Sequence, residues 1–390
     1  MSKKWNIGLL AILAGFVFWA WSKPAKQKVE TGAEIKFSRQ NISKARYESV
    51  GVFDVNNDGK PDIVSGADWY EGPAFTTKHF IYQPKPEGDY FDDFSTLPLD
   101  VNGDGYIDIV TGGWFGQSIF WLQNPGKKGD WTSHEIAHCG NVETTRLWDV
   151  DGDGFPDVVP NTPNFPLAFY RLKRNRSGKG ESTFTRVEIA KTQGHGLGFG
   201  DINGDGRKDF ILSDGWIEAP VNRMTGQWIM HNDFELGTAG VPIIVADVNK
   251  DGKNDLIVGQ AHSYGLDWYE QTLTAGRRGW IKHSIDSSCS QFHEMHWEDI
   301  NGDGQPELIT GKRYWAHADK DPGSLDPVGL YYYSWNGHSF NKHIISLGPA
   351  GVGKGTGICM DISDLRASGR KDIIVAGKDG LSIFFNEGKK

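Results

Sequence analysis

Residues Asp299 to Glu307 read DINGDGQPE, and the reading of this nine-residue stretch decides the fold. Counted from Asp299, oxygen side chains fall at positions 1, 3, 5 and 9, and position 6 is Gly304. Calcium takes about six to eight oxygens, and loops that wrap it offer ligands at alternate positions, with glycine at the sharp turn. A calcium loop leading into a helix would carry a glutamate at position 12. Here Leu308-Ile309-Thr310 follow instead, apolar and β-prone, so a strand leaves the loop.

The unit recurs. Copies begin at Asp54, Asp100, Asp149, Asp201, Asp247, Asp299 and Asp361, spaced by 46, 49, 52, 46, 52 and 62 residues. Six are intact and predict one Ca2+ each. Their expected ligands are Asp54, Asn56, Asp58 and Asp62; Asp100, Asn102, Asp104 and Asp108; and Asp149, Asp151, Asp153 and Asp157. Then come Asp201, Asn203, Asp205 and Asp209; Asp247, Asn249, Asp251 and Asp255; and Asp299, Asn301, Asp303 and Glu307. The seventh copy, from Asp361, has three extra residues and Ser363 where Asn or Asp usually stands, so no calcium is expected there. These ions are read as structural.

Each loop sits in a four-strand pattern. One apolar strand enters it and a second leaves it. An aromatic third follows, such as Ile119-Phe120-Trp121-Leu122, and then an amphipathic fourth, such as residues 280–285. Four-stranded units at this period are propeller blades. The chain stops after a third strand, and residues 34–43 (EIKFSRQNIS) resemble a fourth. The expected fold is therefore all-β: a seven-bladed propeller over 34–390, closed by its N-terminal strand completing the last blade.

Residues 1–24 read as a signal peptide or N-terminal membrane anchor, with Lys3 and Lys4 ahead of an apolar run from Trp5 to Trp21, and 25–33 as a linker. The expected location is periplasmic or extracellular, with the N-terminus as an anchor if it is not cleaved. Cys139, Cys289 and Cys359 lie in different repeats and suggest no disulfide framework. The formal charge of −9 counts 19 loop carboxylates that six Ca2+ would offset. No basic run suggests nucleic acid. A monomer is expected.

Blade topology puts all loops on one face, and residues before first strands and after second strands on the other. His138, His195, His293 and His296 precede first strands. Trp69, Trp114, Trp216, His262, Tyr264, Lys312, Arg313, Tyr314, Trp315 and His317 follow second strands. Aromatic rings beside polar groups suit a sugar. His195, His262 and His293 also offer a site for an additional divalent metal in the central channel. His293 and His296 are three apart and cannot both line the channel on a regular strand.

The repeats resemble the FG-GAP and VCBS repeats of the integrin α-subunit head and of secreted bacterial proteins. Residues 291–323, 194–220 and 112–126 look like the propeller domain of the aldos-2-ulose dehydratase family. That resemblance implies dehydration of keto-sugars: proton abstraction α to a ketone, then loss of a β-substituent. His293 or His296 would be the base, His195 or His138 would protonate the leaving oxygen, and Lys312 or Arg313 would hold the enolate. The remaining site residues would bind the sugar. Two other readings stand beside this one. One is a propeller that binds carbohydrate or protein without chemistry. The other is a uronate polysaccharide lyase in which Lys312 and Arg313 neutralise a carboxylate.

Overall fold

The strands pair as the repeat demands. A computed structural model describes residues 34–389, and the proposed targeting segment and linker lie outside the described residues. Seven four-stranded antiparallel sheets follow one another around a ring. They are blade 1 (51–80), blade 2 (97–138), blade 3 (144–190), blade 4 (197–231), blade 5 (244–290) and blade 6 (295–348). Blade 7 joins residues 360–389 to the strand Ile35–Ser43. That strand pairs antiparallel with Leu381–Lys389, so the two ends of the ring are sewn into one sheet, as the sequence predicts. A single 3-10 turn, Ala316–Asp319, is the only helix among the described residues, and none is long and apolar enough to cross a membrane.

The core lies between blades. Each of seven apolar clusters draws on two neighbouring blades, and the cluster of Val50, Ile63 and Tyr70 with Ile374, Leu381 and Ile383 seals blade 1 to blade 7. Side-chain amides tie neighbours together at the loop end. Asn124 Nδ2 donates to Val55 O at 2.8 Å, Gln271 Nε2 to Ile202 O at 3.0 Å, and Asn386 Nδ2 to Ile300 O at 2.6 Å.

The position-9 carboxylate is a clasp. In blade 1, Asp62 accepts the Val55 and Gly72 N–H groups at 2.9 and 2.8 Å, which fixes the loop to the end of the third strand. Asp108, Asp209, Asp255 and Asp372 do the same in their blades. The last of these corrects the reading of the seventh repeat. Asp361 lies within the first strand, Met360–Ser363, and the loop begins at Asp364 with nine residues and no insertion. Its third position is Arg366, whose guanidinium reaches Asp372 Oδ1 at 3.3 Å and Glu387 Oε1 at 3.2 Å. This loop supplies its own cation.

Five histidines are accounted for by cross-strand pairs. Trp69 stands opposite His79, Trp121 opposite His134, Trp216 opposite His231, Trp268 opposite His283, and Tyr332 opposite His343. In each pair the rings stack at 4.0–4.4 Å between centroids.

Candidate functional site

The unusual residues collect on the face opposite the loops, where chain leaves second strands and enters first strands in irregular conformations. His195, in the Gly194-His195-Gly196 turn, precedes the first strand of blade 4. His262 follows the second strand of blade 5, and His293 precedes the first strand of blade 6. Gly196 has φ +97°, and a Cβ there would meet the Cβ of Ala239 at 2.8 Å. Only glycine permits this approach, and the Ala239 carbonyl it brings in accepts His195 Nδ1 at 2.7 Å.

The three imidazoles converge. Ring centroids are 4.6 Å apart for His195 and His262, 5.3 Å for His262 and His293, and 6.0 Å for His195 and His293. One nitrogen from each lies within 4.8 Å of the others. Each ring has its Nδ1 side engaged. His195 donates to Ala239 O, His293 Nδ1 lies 3.3 Å from Gln291 O, and His262 Nδ1 lies 3.1 Å from Asp321 Oδ2. Nε2 of His195 and of His293 is buried with no hydrogen-bond partner. Imidazoles whose Nδ1–H is fixed by a carbonyl or carboxylate, with Nε2 free, make a fitting donor set for a divalent metal. Burial, with Arg313 and the neighbouring histidines, holds His293 well below the ordinary range, and burial and His195 lower His262, so both keep a lone pair. Burial also opposes a proton on His195, but Glu143, 3.5 Å from its Nε2, outweighs it and raises the pKa. A metal ion at Nε2 would have to displace that proton, and the Glu143 charge would then face the metal cation instead.

A fourth histidine completes the cluster. His317 sits on the 3-10 turn, and its Nδ1 lies 2.7 Å from Asp321 Oδ2, the oxygen that also meets His262. The opposite wall is aromatic. Tyr90, Phe94, Trp114 and Phe115 enclose, with Glu143, His195, His262, Arg313 and His317, a cavity of about 230 Å3. Tyr90 and Phe94 come from the connection between blades 1 and 2, and Tyr90 Oη accepts the His317 N–H at 2.8 Å.

Arg313 is buried beneath this wall. Its Nε donates to Glu48 Oε1 at 2.9 Å and its Nη1 to Glu143 Oε1 at 3.4 Å. Burial works against the ionised Glu143, yet His195 and then Arg313 hold it down at about 2. Burial brings nearby Lys378 down to about 8; its Nζ lies 3.4 Å over the Tyr90 ring.

The structure therefore separates the residues singled out from sequence. His195, His262, His317, Arg313 and Trp114 line the cavity, and His293 is buried against His195 and His262. Trp69 and Trp216 do not. Both are packed between blades and stacked on their cross-strand histidines, because the third-strand register points them into the sheet interface. His138 ends the outer strand of blade 2 and lines a separate surface hollow beside Phe165. The Lys312 ammonium donates to Gly323 O and fastens the loop that carries His317. His296 lies within the first strand of blade 6, Met295–Glu298, rather than ahead of it, and Glu294 Oε1 lies 2.9 Å from its Nε2. Tyr264 caps the same loop through Asp326 at 2.5 Å, and Trp315 Nε1 donates to Asp89 at 3.2 Å, with Tyr314 beside it. Sequence reasoning does not single out Tyr90, Phe94, Phe115, Glu48, Glu143 or Asp321. All lie in connections where the repeat gives no register.

Comparison with known proteins bears on the fold. A family model described as the FG-GAP-like repeat matches residues 100–159 and 247–310. No curated protein matches the chain. Among solved structures, the chain is similar to a Tc holotoxin pore of Photorhabdus luminescens, with 14% identity and a TM-score of 0.37 over 90% of this chain and 15% of that one. It is also similar to virginiamycin B lyase from Staphylococcus aureus, with 12% identity and a TM-score of 0.47 over 90% of this chain and 98% of that one. Both likenesses are too distant to bear on the chemistry of the site.

Proposed function

We propose that the chain is a carbon–oxygen lyase that dehydrates a keto-sugar in the histidine cavity. The observation that carries this reading is three imidazoles, His195, His262 and His317, facing an aromatic wall across a space of about 230 Å3, with His293 buried beside them. Such a space suits one sugar ring, with C–H faces against Tyr90, Trp114 and Phe115 and hydroxyls toward the polar wall.

The roles follow from the geometry. His317 is the base: Asp321 fixes its Nδ1–H and leaves Nε2 free on the cavity side. It takes the proton from the carbon next to the ketone. The electron pair forms the new C–C double bond as the β C–O bond breaks. The imidazolium returns the proton to the departing hydroxyl, which leaves as water. His195, His262 and His293 would hold a divalent ion, whose contribution is to polarise the ketone oxygen. Arg313 and Glu48 position Glu143 behind His195.

A uronate lyase fits less well. Arg313 is matched by two carboxylates and Lys312 is turned into its own loop, so neither cation is free for a substrate carboxylate. A passive sugar-binding propeller would explain the aromatic wall but not the imidazoles. The test is ultraviolet absorbance on a panel of keto-sugars, neutral glycosides and a uronate polymer, because elimination beside a ketone yields a conjugated enone. Signal on keto-sugars that His317→Ala abolishes is expected. Silence across the panel from folded, metal-supplied protein would shift the reading to the binding propeller.

Calcium in six loops is part of the proposal. Its support is the ligand spacing, the buried Asn301 Oδ1 with no partner, and one oxygen each from Asp149, Asp151 and Asp157 within 4.8 Å of one another. Burial pushes Asp108, Asp157, Asp209 and Glu307 up to about 7, a cost that an adjacent divalent cation reverses. Export and anchoring rest on the sequence of residues 3–21.

A further inference from the structure

The loop face carries a feature separate from the cavity. Each strand is antiparallel to the last, so the hairpins joining third and fourth strands lie at the same end as the loops and outside them. The blade-3 hairpin shows the placement. Ser182 N–H donates to Val101 O beside the second loop at 2.9 Å, and Arg174 lies 4.3 Å over Phe155 of its own loop. The tips of these hairpins expose Lys127 and Lys128 on blade 2, Lys173, Arg176 and Lys179 on blade 3, and Arg277 on blade 5. None of the six has an ion-pair partner among the described residues. Next to them, Val221 on blade 4 and Leu273 on blade 5 are 87% and 60% exposed.

The path of the chain adds a second observation. Ile35 pairs with Lys389, and Lys389 Nζ lies 4.0 Å from Asp303 of the sixth loop. The closing strand thus starts at the loop face. Residue 34, the first described, therefore lies at the loop face, opposite the cavity.

We propose that the loop face docks on an anionic phospholipid bilayer through these hairpin cations, which leaves the cavity mouth facing away from the lipid. Lys and Arg beside an anionic membrane attract its head groups, and exposed aliphatic tips can enter the interface. The loop carboxylates inside the hairpin ring oppose this attraction. Docking therefore rests on the calcium reading above and requires the loops to be filled.

The test uses protein beginning at Gly32, which retains every strand and every inter-blade cluster. It is sedimented with vesicles of phosphatidylcholine alone or mixed with phosphatidylglycerol, in calcium. Binding is expected to the mixed vesicles only and to weaken with added salt. The variant K173Q/R176Q/K179Q should bind about a hundredfold more weakly, at roughly a factor of five per cation. K127Q/K128Q, on a different blade, should show a smaller loss. All five side chains are exposed, so the variants should melt where the parent does. Equal binding to both vesicle types, no binding by calcium-loaded protein, or variants that bind like the parent would overturn the proposal. So would retention on an acidic polysaccharide in place of vesicles. Melting temperature with and without chelator reads the calcium sites separately, so failed docking and absent calcium are distinguishable.

Discussion

Replacing Glu143 with glutamine isolates the charge network behind the cavity. Glu143 is nearly buried, and its carboxylate meets Arg313 at 3.4 Å and His195 at 3.5 Å. Its folded pKa of about 2 lies below the ordinary 4.5, so ionised Glu143 contributes stability that is complete above about pH 4.5 and lost as pH falls toward 2. At about 1.4 kcal/mol per pH unit, that gap corresponds to roughly 3 kcal/mol. The figure agrees in size with the ~3–5 kcal/mol cost of breaking a buried ion pair. Urea denaturation of parent and Glu143→Gln across pH 7 to 2.5 gives a difference curve in which all other carboxylates cancel. The expected difference is roughly 3 kcal/mol near pH 5, where His195 carries its proton opposite Glu143; it is smaller toward pH 7 as His195 loses that proton, and it shrinks again below about 4.5. A difference that stays flat from pH 5 to 2.5, or one under about 1 kcal/mol at pH 5, would refute the network. Removing the carboxylate should also lower the His195 pKa, read as a titration midpoint moved to lower pH in its imidazole NMR signal.

Other outcomes follow from the same contacts. Chelation should lower the melting temperature markedly, since each filled site contributes roughly 2.7 kcal/mol at a hundredfold excess of ion over Kd; calorimetry that finds no shift removes the calcium sites. Asn386→Ala takes an amide away from Ile300 O and Lys371 O and an acceptor away from Gly388 N–H, and should cost about 2–4 kcal/mol in equilibrium unfolding. Phe292, fully buried between blades 5 and 6, should cost about 3–5 kcal/mol when replaced by alanine. In the enone assay His317→Ala should abolish turnover and His138→Ala should leave it unchanged, and the reverse would move the site to the rim of blade 2.

The fold was legible because its information is local and repeated. The loop marks the end of a first strand and the start of a second, and seven copies fix the blade count. Even the closing strand could be read, since residues 34–43 carry a fourth-strand pattern with no third strand ahead of it. The one slip of register, Asp361 for Asp364, arose because Arg366 fills the place where a liganding side chain was sought. The site was half legible. Strand order predicts which residues reach the cavity face, and it found His195, His262, His293 and His317. It cannot say how a side chain turns after leaving a strand, and so Trp69 and Trp216 were misplaced. A signal was available: a third-strand aromatic with a histidine opposite it on the fourth strand recurs in blades 1, 2, 4, 5 and 6. Tyr90, Phe94 and Asp321 gave no signal, since they ride on connections that belong to no repeat.

The sheet built from both termini has a consequence for assembly. Among the described strands Ile35–Ser43 is synthesised first, and its partner Leu381–Lys389 is synthesised last. Until then blade 7 does not exist, blade 1 lacks the neighbour that covers Val50 and Ile63, and six blades stand as an open arc with apolar flanks. Closure of the ring is therefore a single late event, and a nascent chain needs its early strand kept unpaired in the meantime.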